Sequence, residues 1–211
     1  MPKQPAHFIA IDGIDGVGKT TQIDGLADYL DSLGLSHVRT RDPGSSEIGA
    51  KLRELLLDSR LSMHRRTEAM LFMASRCEMV ESTIKPTLAA GTSVISDRFL
   101  LANVVYQSVS ETEQTISPEL LWQMGDLANG GLRPNLTILL DMPAAAALQR
   151  IGRPADRMES RGAEYMEAVR QAYLTQLPSA SRCTAVVNAD QPLEQVQADL
   201  RAAVKSYLDG A

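Results

Sequence analysis

The sequence predicts a three-layer α/β/α sandwich on a parallel sheet of about five strands. Two observations carry that expectation. Short β-rich runs alternate with segments long enough for crossover helices. Several of those runs are almost continuously apolar, the pattern of parallel strands covered on both faces.

The elements follow in order. "HFIAI" (His7–Ile11) reads as the first strand, and a helix is expected from about Gly18 to Leu33. "HVRTR" (His37–Arg41) is the second strand. "MLFMASRCEMVE" (Met70–Glu81) is helical by composition, and "TSVIS" (Thr92–Ser96) is the third strand. "NGGLRPN" (Asn129–Asn135) is a turn, because Gly-Gly and Pro break regular structure; it leads into "LTILLD" (Leu136–Asp141). "IGRPADRMESRG" (151–162) is polar and rich in breakers, a candidate lid. "TAVVN" (Thr184–Asn188) is the fifth strand. The last helix sets Leu193, Val196, Leu200, Val204 and Leu208 on one core-facing stripe.

With 211 residues, 44% of them hydrophobic, the chain has material for one well-packed domain over 1–211, lid included. A net charge of −5 speaks against a nucleic-acid partner, whose binders carry a basic surface. Small nucleotides need only a few local arginines. Cys77 and Cys183 stand far apart, in no metal or redox spacing, and read as free thiols of a reducing compartment. The apolar run near the start stops at Asp12, too short for a signal peptide or a membrane span. The expectation is a soluble, cytoplasmic protein.

The chemistry begins at Gly13-Ile14-Asp15-Gly16-Val17-Gly18-Lys19-Thr20, which matches G-x-x-x-x-G-K-[ST] between a strand and a helix. Glycines let backbone N–H groups turn onto phosphates, Lys19 adds a point charge, and Thr20 offers a hydroxyl to Mg²⁺. This is the phosphate loop of the P-loop NTPase fold, so a nucleoside triphosphate and phosphoryl transfer are expected. A GTPase would add a guanine-reading N-K-x-D, which the sequence lacks. A large ATPase needs more chain. A small nucleotide kinase needs an acceptor pocket and an arginine-rich lid.

Two stretches supply the acceptor side. Phe72 and Arg76 are four apart, so they share a helix face and can stack on a base and donate to its carbonyl edge. Spacing alone favours a plainer arrangement, a core ring and a surface arginine. In "SDRFLLANVVYQS" (Ser96–Ser108), Asp97 ends a strand where a parallel sheet meets its ligands, which suits Mg²⁺ or its water. Arg98 beside it can clamp a phosphate; a strand-end ion pair is the alternative.

These motifs together resemble the thymidylate kinases, which pass a phosphoryl group from ATP to dTMP in dTTP synthesis. The resemblance covers nearly the whole length: "IDGIDGVGKTT", "TRDPG", "KLRELLLD", "LFMASR", "IKPTLAAGTSVISDRF", "YQ", "RPNLTILLD", "DRME" and "NADQPLEQV". It implies that the loop from Gly13 through Thr20 to Thr21 binds ATP with Mg²⁺. It implies that Phe72 stacks on thymine, that Arg76 donates to a thymine carbonyl, and that Asn103 and Gln107 lie along the base edge. Tyr106 closes the ribose side, Arg53 and Arg98 hold the dTMP phosphate, and Pro43 with Gly44 shapes the pocket wall. The chain departs from the family's common pattern at Asp42, Ser45, Ala102 and Ser108.

Asp15 is unusual, since a carboxylate repels the phosphates around it. Mg²⁺ or an acceptor sugar hydroxyl would make its place tolerable, and the resemblance implies the 3′-hydroxyl of dTMP. The resemblance also implies where positive charge comes from. Some thymidylate kinases carry an arginine in the P-loop, at the position of Gly16. Others use the lid, and here the lid offers Arg150, Arg153, Arg157 and Arg161, with Gly152 and Pro154 breaking a continuous helix. Arg153 is expected nearest the transferring group, with Arg150 and Arg157 as helpers. Family members are usually homodimers; Met70, Leu71, Met73 and Met79 suit such a face, and core packing explains them equally well.

Overall fold

The computed structural model describes residues 5–58, 60–109, 115–151 and 162–210. In chain order these form β1 (Phe8–Asp12), α1 (Lys19–Ser32), β2 (His37–Arg41), α2 (Glu47–Leu57), α3 (Arg65–Met79), α4 (Lys85–Ala89), β3 (Ser93–Asp97), α5 (Leu100–Ser108), α6 (Pro118–Asn129), β4 (Leu136–Asp141), α7 (Ala144–Gln149), α8 (Ala163–Gln176), β5 (Cys183–Asn188) and α9 (Leu193–Asp209). The five strands form one parallel sheet in the order β2-β3-β1-β4-β5.

Strand periodicity explains the three layers. Ile9 and Ile11 of β1 point into one core, with Leu26 and Leu30 of α1, Val169 and Tyr173 of α8, and Leu200 and Val204 of α9. Phe8 and Ala10 point the opposite way, into a second core with Met73 and Met79 of α3 and Leu121 of α6. Central strands therefore read as continuous apolar runs, whereas edge strands do not: Val38 of β2 and Val186 of β5 are exposed.

Two local departures from the expected elements have physical causes. β1 and β3 run through Asp12 and Asp97, because the ladder continues in register at Ile11↔Asp97 and Asp12↔Leu139. On α9, Val196, Leu200 and Val204 are buried, but Leu193 is exposed. Helical side chains tilt toward the N-terminus, so the first residue's side chain reaches past the core instead of over it.

The helix carrying Phe72 and Arg76 starts earlier than expected, at Arg65, where His64 Nδ1 accepts from the Arg66 N–H. After Met79 it passes through a π turn, Val80–Ile84, before α4. Pro86 lies at the start of α4, lacks an N–H and crowds the preceding turn; a widened turn relieves that. Met73 and Met79 belong to the core, while Met70 faces outward. Among the described residues no helix is long and apolar enough to cross a membrane.

β1 lies between β3 and β4, so the chain leaves it toward opposite sides of the sheet and opens a crevice at the strands' carboxyl ends. Asp12, the phosphate loop, Asp97 and Arg98 all emerge there.

Candidate active site

The loop from Gly13 to Gly18 joins β1 to α1. Gly18 is the N-cap of α1, with φ +89°, and no side chain caps this end. The first N–H groups of the helix thus keep their hydrogen-bonding capacity for an anion. Lys19 is buried and folds back over the loop, donating to the Gly13 oxygen at 2.9 Å and the Ile14 oxygen at 2.8 Å. Burial first, and Arg98 second, lower its pKa to about 8 against the pull of three carboxylates, so the ammonium persists at pH 7. Thr20 and Thr21 stand exposed on the first helical turn. Ile14 and Val17 are buried in the core and anchor the loop.

Beside the loop is a cavity of about 280 Å³, near the small end of ligand pockets. It is lined by Asp15, Pro43, Arg53, Phe72, Arg76, Arg98, Asn103, Tyr106 and Gln107, which the sequence reading assigned to dTMP, but not by Gly44, expected in its wall. Helical spacing gathers them. Phe72 and Arg76 are one turn apart on α3, and Asn103, Tyr106 and Gln107 share a face of α5. The plainer expectation for Phe72 and Arg76 is inverted: the arginine is 1% exposed, and the ring is only partly covered. Gly44 stands behind Arg53, which donates to the Pro43 oxygen at 3.0 Å.

Buried Arg76 has a buried partner. Its Nε donates to Asp42 Oδ2 at 2.5 Å, and its Nη1 donates to Asn103 Oδ1 and to Met73 Sδ, each at 3.2 Å. Asn103 Nδ2 then donates to Gln107 Oε1 at 2.6 Å. Burial raises the Asp42 pKa, and the Arg76 guanidinium opposes it.

Asp15 proves to have a third kind of partner, beyond the two that sequence reasoning weighed. Its Oδ1 accepts from Arg98 Nη2 at 2.7 Å, with Lys19 Nζ at 3.5 Å. Burial alone would raise its pKa, but Arg98 and Lys19 outweigh that and hold the carboxyl well below the ordinary range. Arg98 is in turn fixed by Tyr173 Oη, which accepts from Nη1 at 2.7 Å, and its guanidinium lies over the Tyr106 ring at 5.2 Å. Burial works against its charge; Asp15 leads the groups that keep it ionised. Arg98 has φ +67°, an uncommon conformation for a residue with a Cβ. Its N–H bonds the Ile11 oxygen, and its carbonyl accepts from Ser96 Oγ at 2.6 Å, which hold that backbone in place.

The expected cation ligands fit Mg²⁺. Asp97 ends β3 with Oδ2 3.6 Å from Arg41 Nε, a loose version of the strand-end ion pair. Its Oδ1 is buried with no partner among the described residues. A bare buried carboxylate oxygen is costly, and a hard cation or its water is the partner that would satisfy it. Thr20, exposed on the first turn of α1, would add a hydroxyl oxygen. Among the described residues no three His, Cys, Asp or Glu gather at one point, so such a cation would take most of its shell from phosphates and water.

On the donor side, Arg150 closes α7 and donates through Nη1 to the Ala189 oxygen at 3.1 Å. Arg153, Arg157 and Arg161 lie outside the described residues. The helices flanking that segment are tied to the sheet: Arg170 of α8 grips Asp141 at 2.7 and 2.8 Å, and Glu167 accepts from the Ala144 N–H of α7. Gly16 explains why no arginine stands in the loop. A Cβ there would lie 2.1 Å from the Ala147 oxygen of α7. The helix backbone occupies the space, so added positive charge has to come from elsewhere.

Sequence reasoning missed three residues. Asp42 sits at the carboxyl end of β2, the position that singled out Asp97, and that rule would have found it. Buried Asp12 ends β1, where burial pushes its carboxyl up to about 7 against Arg98 and Lys19. Tyr173 donates to Asp12 Oδ1 at 3.3 Å and reaches the site from α8, with no local signal.

Known proteins resemble this chain in sequence along most of its length. The family model described as "Thymidylate kinase" matches residues 11–200. A thymidylate kinase of Rhodopirellula baltica is 56% identical over 203 residues, covering 96% of this chain and 81% of that protein. One from Symbiobacterium thermophilum is 42% identical, over 95% of this chain and 94% of its own. A third, from Desulfovibrio desulfuricans, is 37% identical over 95% and 96%. With the family model matching nearly the whole length and relatives this similar, the chain belongs to the thymidylate kinase family.

Proposed function

We propose that this chain transfers the γ-phosphoryl group of ATP to dTMP, yielding dTDP and ADP, as a step in dTTP synthesis. One observation carries the reading. The contact of Asp15 with Arg98 joins the phosphate loop to the aromatic cleft, so a triphosphate on the loop and a nucleotide in the cleft meet end to end.

The chemistry asks for alignment and charge more than for proton transfer. The acceptor is a phosphate monoester whose second pKa is about 6, so it is already mostly ionised at pH 7 and needs no general base. Arg98 and Arg53 hold that phosphate, and Asp15 receives the sugar 3′-hydroxyl while keeping Arg98 in place. Phe72 stacks on the base, Arg76 donates to its carbonyl edge, Asn103 and Gln107 line it, and Pro43 forms the wall. Tyr106 fills the space a 2′-hydroxyl would need. Lys19 and the amides from Gly13 to Thr21 take the β and γ phosphates. Thr20 and Asp97 would hold Mg²⁺, which would neutralise charge on the phosphate oxygens. With α7 closing off Gly16, remaining charge comes from the lid at about 151–162: Arg153 first, Arg150 and Arg157 as helpers. The whole acts as one domain. We place it in the cytoplasm, in keeping with its free cysteines, as a homodimer joined on the α3 side, where Met70 is exposed.

ADP release tests this with ATP or GTP as donor and dTMP, dUMP, dCMP, dAMP and dGMP as acceptors. The expected result is ATP-driven turnover with dTMP as the best acceptor. Preference for another monophosphate, or no turnover on dTMP, overturns it.

A further inference from the structure

We infer that Asp42 sets the hydrogen-bond polarity of the whole base-reading edge, and so decides that the cleft takes a carbonyl-bearing pyrimidine and refuses an amino-bearing one. The inference rests on dTMP binding in this cleft.

The network begins at one buried carboxyl. Asp42 is 3% exposed, and its backbone N–H, one residue past the last paired position of β2, is fixed to the Asp97 oxygen at 2.9 Å. Its carboxylate takes Arg76 Nε, which orients a guanidinium that has donors and no acceptor. Whatever Asn103 turns toward Arg76 must therefore be its oxygen. Its amide nitrogen then faces Gln107 and must meet an oxygen there, as it does at 2.6 Å. Gln107 is left with Nε2, buried and without a partner among the described residues. Each link leaves the next a single orientation, and the chain ends on a donor, Gln107 Nε2, of a residue that lines the cavity together with Arg76.

A donor-lined edge suits the carbonyls of thymine or uracil. Cytosine puts an amino group where they have O4, donor against donor, and sites built on such hydrogen bonds discriminate strongly. The 5-methyl group is read separately, by packing, so Asp42 bears on dTMP against dCMP and not on dTMP against dUMP.

The test is kcat/KM on dTMP, dUMP and dCMP for the wild type, Asp42→Asn and Asp42→Glu, with the Kd for ATP as a check of folding. Asp42→Asn removes the charge and lets Arg76 and both amides reorient. The dTMP-to-dCMP ratio is expected to fall at least about tenfold, with the dTMP-to-dUMP ratio and ATP binding kept. Asp42→Glu retains a carboxylate and restores the ratio. Asn103→Asp reads the relay one link further on: it forces Gln107 to turn its nitrogen inward and its oxygen to the cleft, and it too lowers dTMP against dCMP. This variant decides the matter if Asp42→Asn fails to bind ATP. A folded variant of either kind with the wild-type dTMP-to-dCMP ratio overturns the inference. A wild type inactive on dTMP would instead overturn the function proposed above.

Discussion

Replacing Gly16 by alanine should harm both stability and the use of ATP, because it drives a methyl group into a helix backbone. Gly16 has φ +88°, and a Cβ on it would lie 2.1 Å from the Ala147 oxygen and 2.7 Å from its carbonyl carbon. Two costs add. Left-handed backbone costs a residue with a Cβ about 1–2 kcal/mol. Overlap with backbone can be relieved only by shifting α7 or the loop, and forced repacking of that kind costs about 1–3 kcal/mol. The sum is about 2–5 kcal/mol, which for a domain of this size lowers Tm by about 4–20 °C. Gly131 provides the control: its φ is +75°, but a Cβ there meets nothing within 4 Å, so Gly131→Ala should show the backbone cost alone.

The kinetic consequence has a direction. α7 ends at Arg150, which is tied to Ala189 on the donor side, whereas the base cleft stands on α3 and α5. Displacing α7 should therefore raise the KM for ATP and cut kcat by about tenfold or more, since ångström-scale misplacement is costly in phosphoryl transfer. The Kd for dTMP, measured by calorimetry, should move far less. A Gly16→Ala protein with wild-type Tm and kcat would mean that α7 does not abut the loop.

Three further outcomes follow from the site. Phe72→Ala should raise the KM for dTMP about 5–150-fold, the loss of a stacked base at about 1–3 kcal/mol, and leave the KM for ATP alone; equal shifts in both would place the ring elsewhere. Asp15→Asn deprives Arg98 of its counter-ion, so kcat/KM for dTMP should fall about 10–100-fold while ATP affinity holds; unchanged KM for dTMP and kcat would refute the assignment. Asp12, with its folded pKa raised to about 7, should make the free protein's stability depend on pH. The folded state then binds a proton that the unfolded chain has released, so Asp12's contribution to stability declines from about pH 4 to pH 7 and levels off above. Asp12→Asn lacks that decline. Its stability relative to wild type should climb across the same window by up to about 4 kcal/mol, as urea midpoints would show, and a pH-independent difference would exclude the shift.

What could be seen in the sequence, and what could not, divides along the distance over which each constraint acts. The phosphate loop is local: a strand, a turn of glycines and a helix start lie within a few residues, and pattern alone reveals them. Phe72 with Arg76, and Asn103 with Gln107, are local too, since a helical turn sets their spacing. That the two helices face each other across one cavity is a tertiary fact, and only the resemblance to a family anticipated it. The misreading of Arg76 as a surface residue on spacing alone shows the limit. Burial of a guanidinium becomes tolerable when a carboxylate is buried with it, and Asp42 lies 34 positions earlier in the chain. Tyr173 is harder still, reaching Arg98 across 75 positions from a helix whose own pattern reads as ordinary core. The difficulty over Asp15 has the same form. A carboxylate among phosphate-binding amides looks unfavourable while the loop is considered alone. It becomes favourable once Arg98, brought alongside by parallel pairing of β1 and β3, supplies the opposing charge. Both acids are thus placed by the arginines they hold, and the two arginines line one cavity.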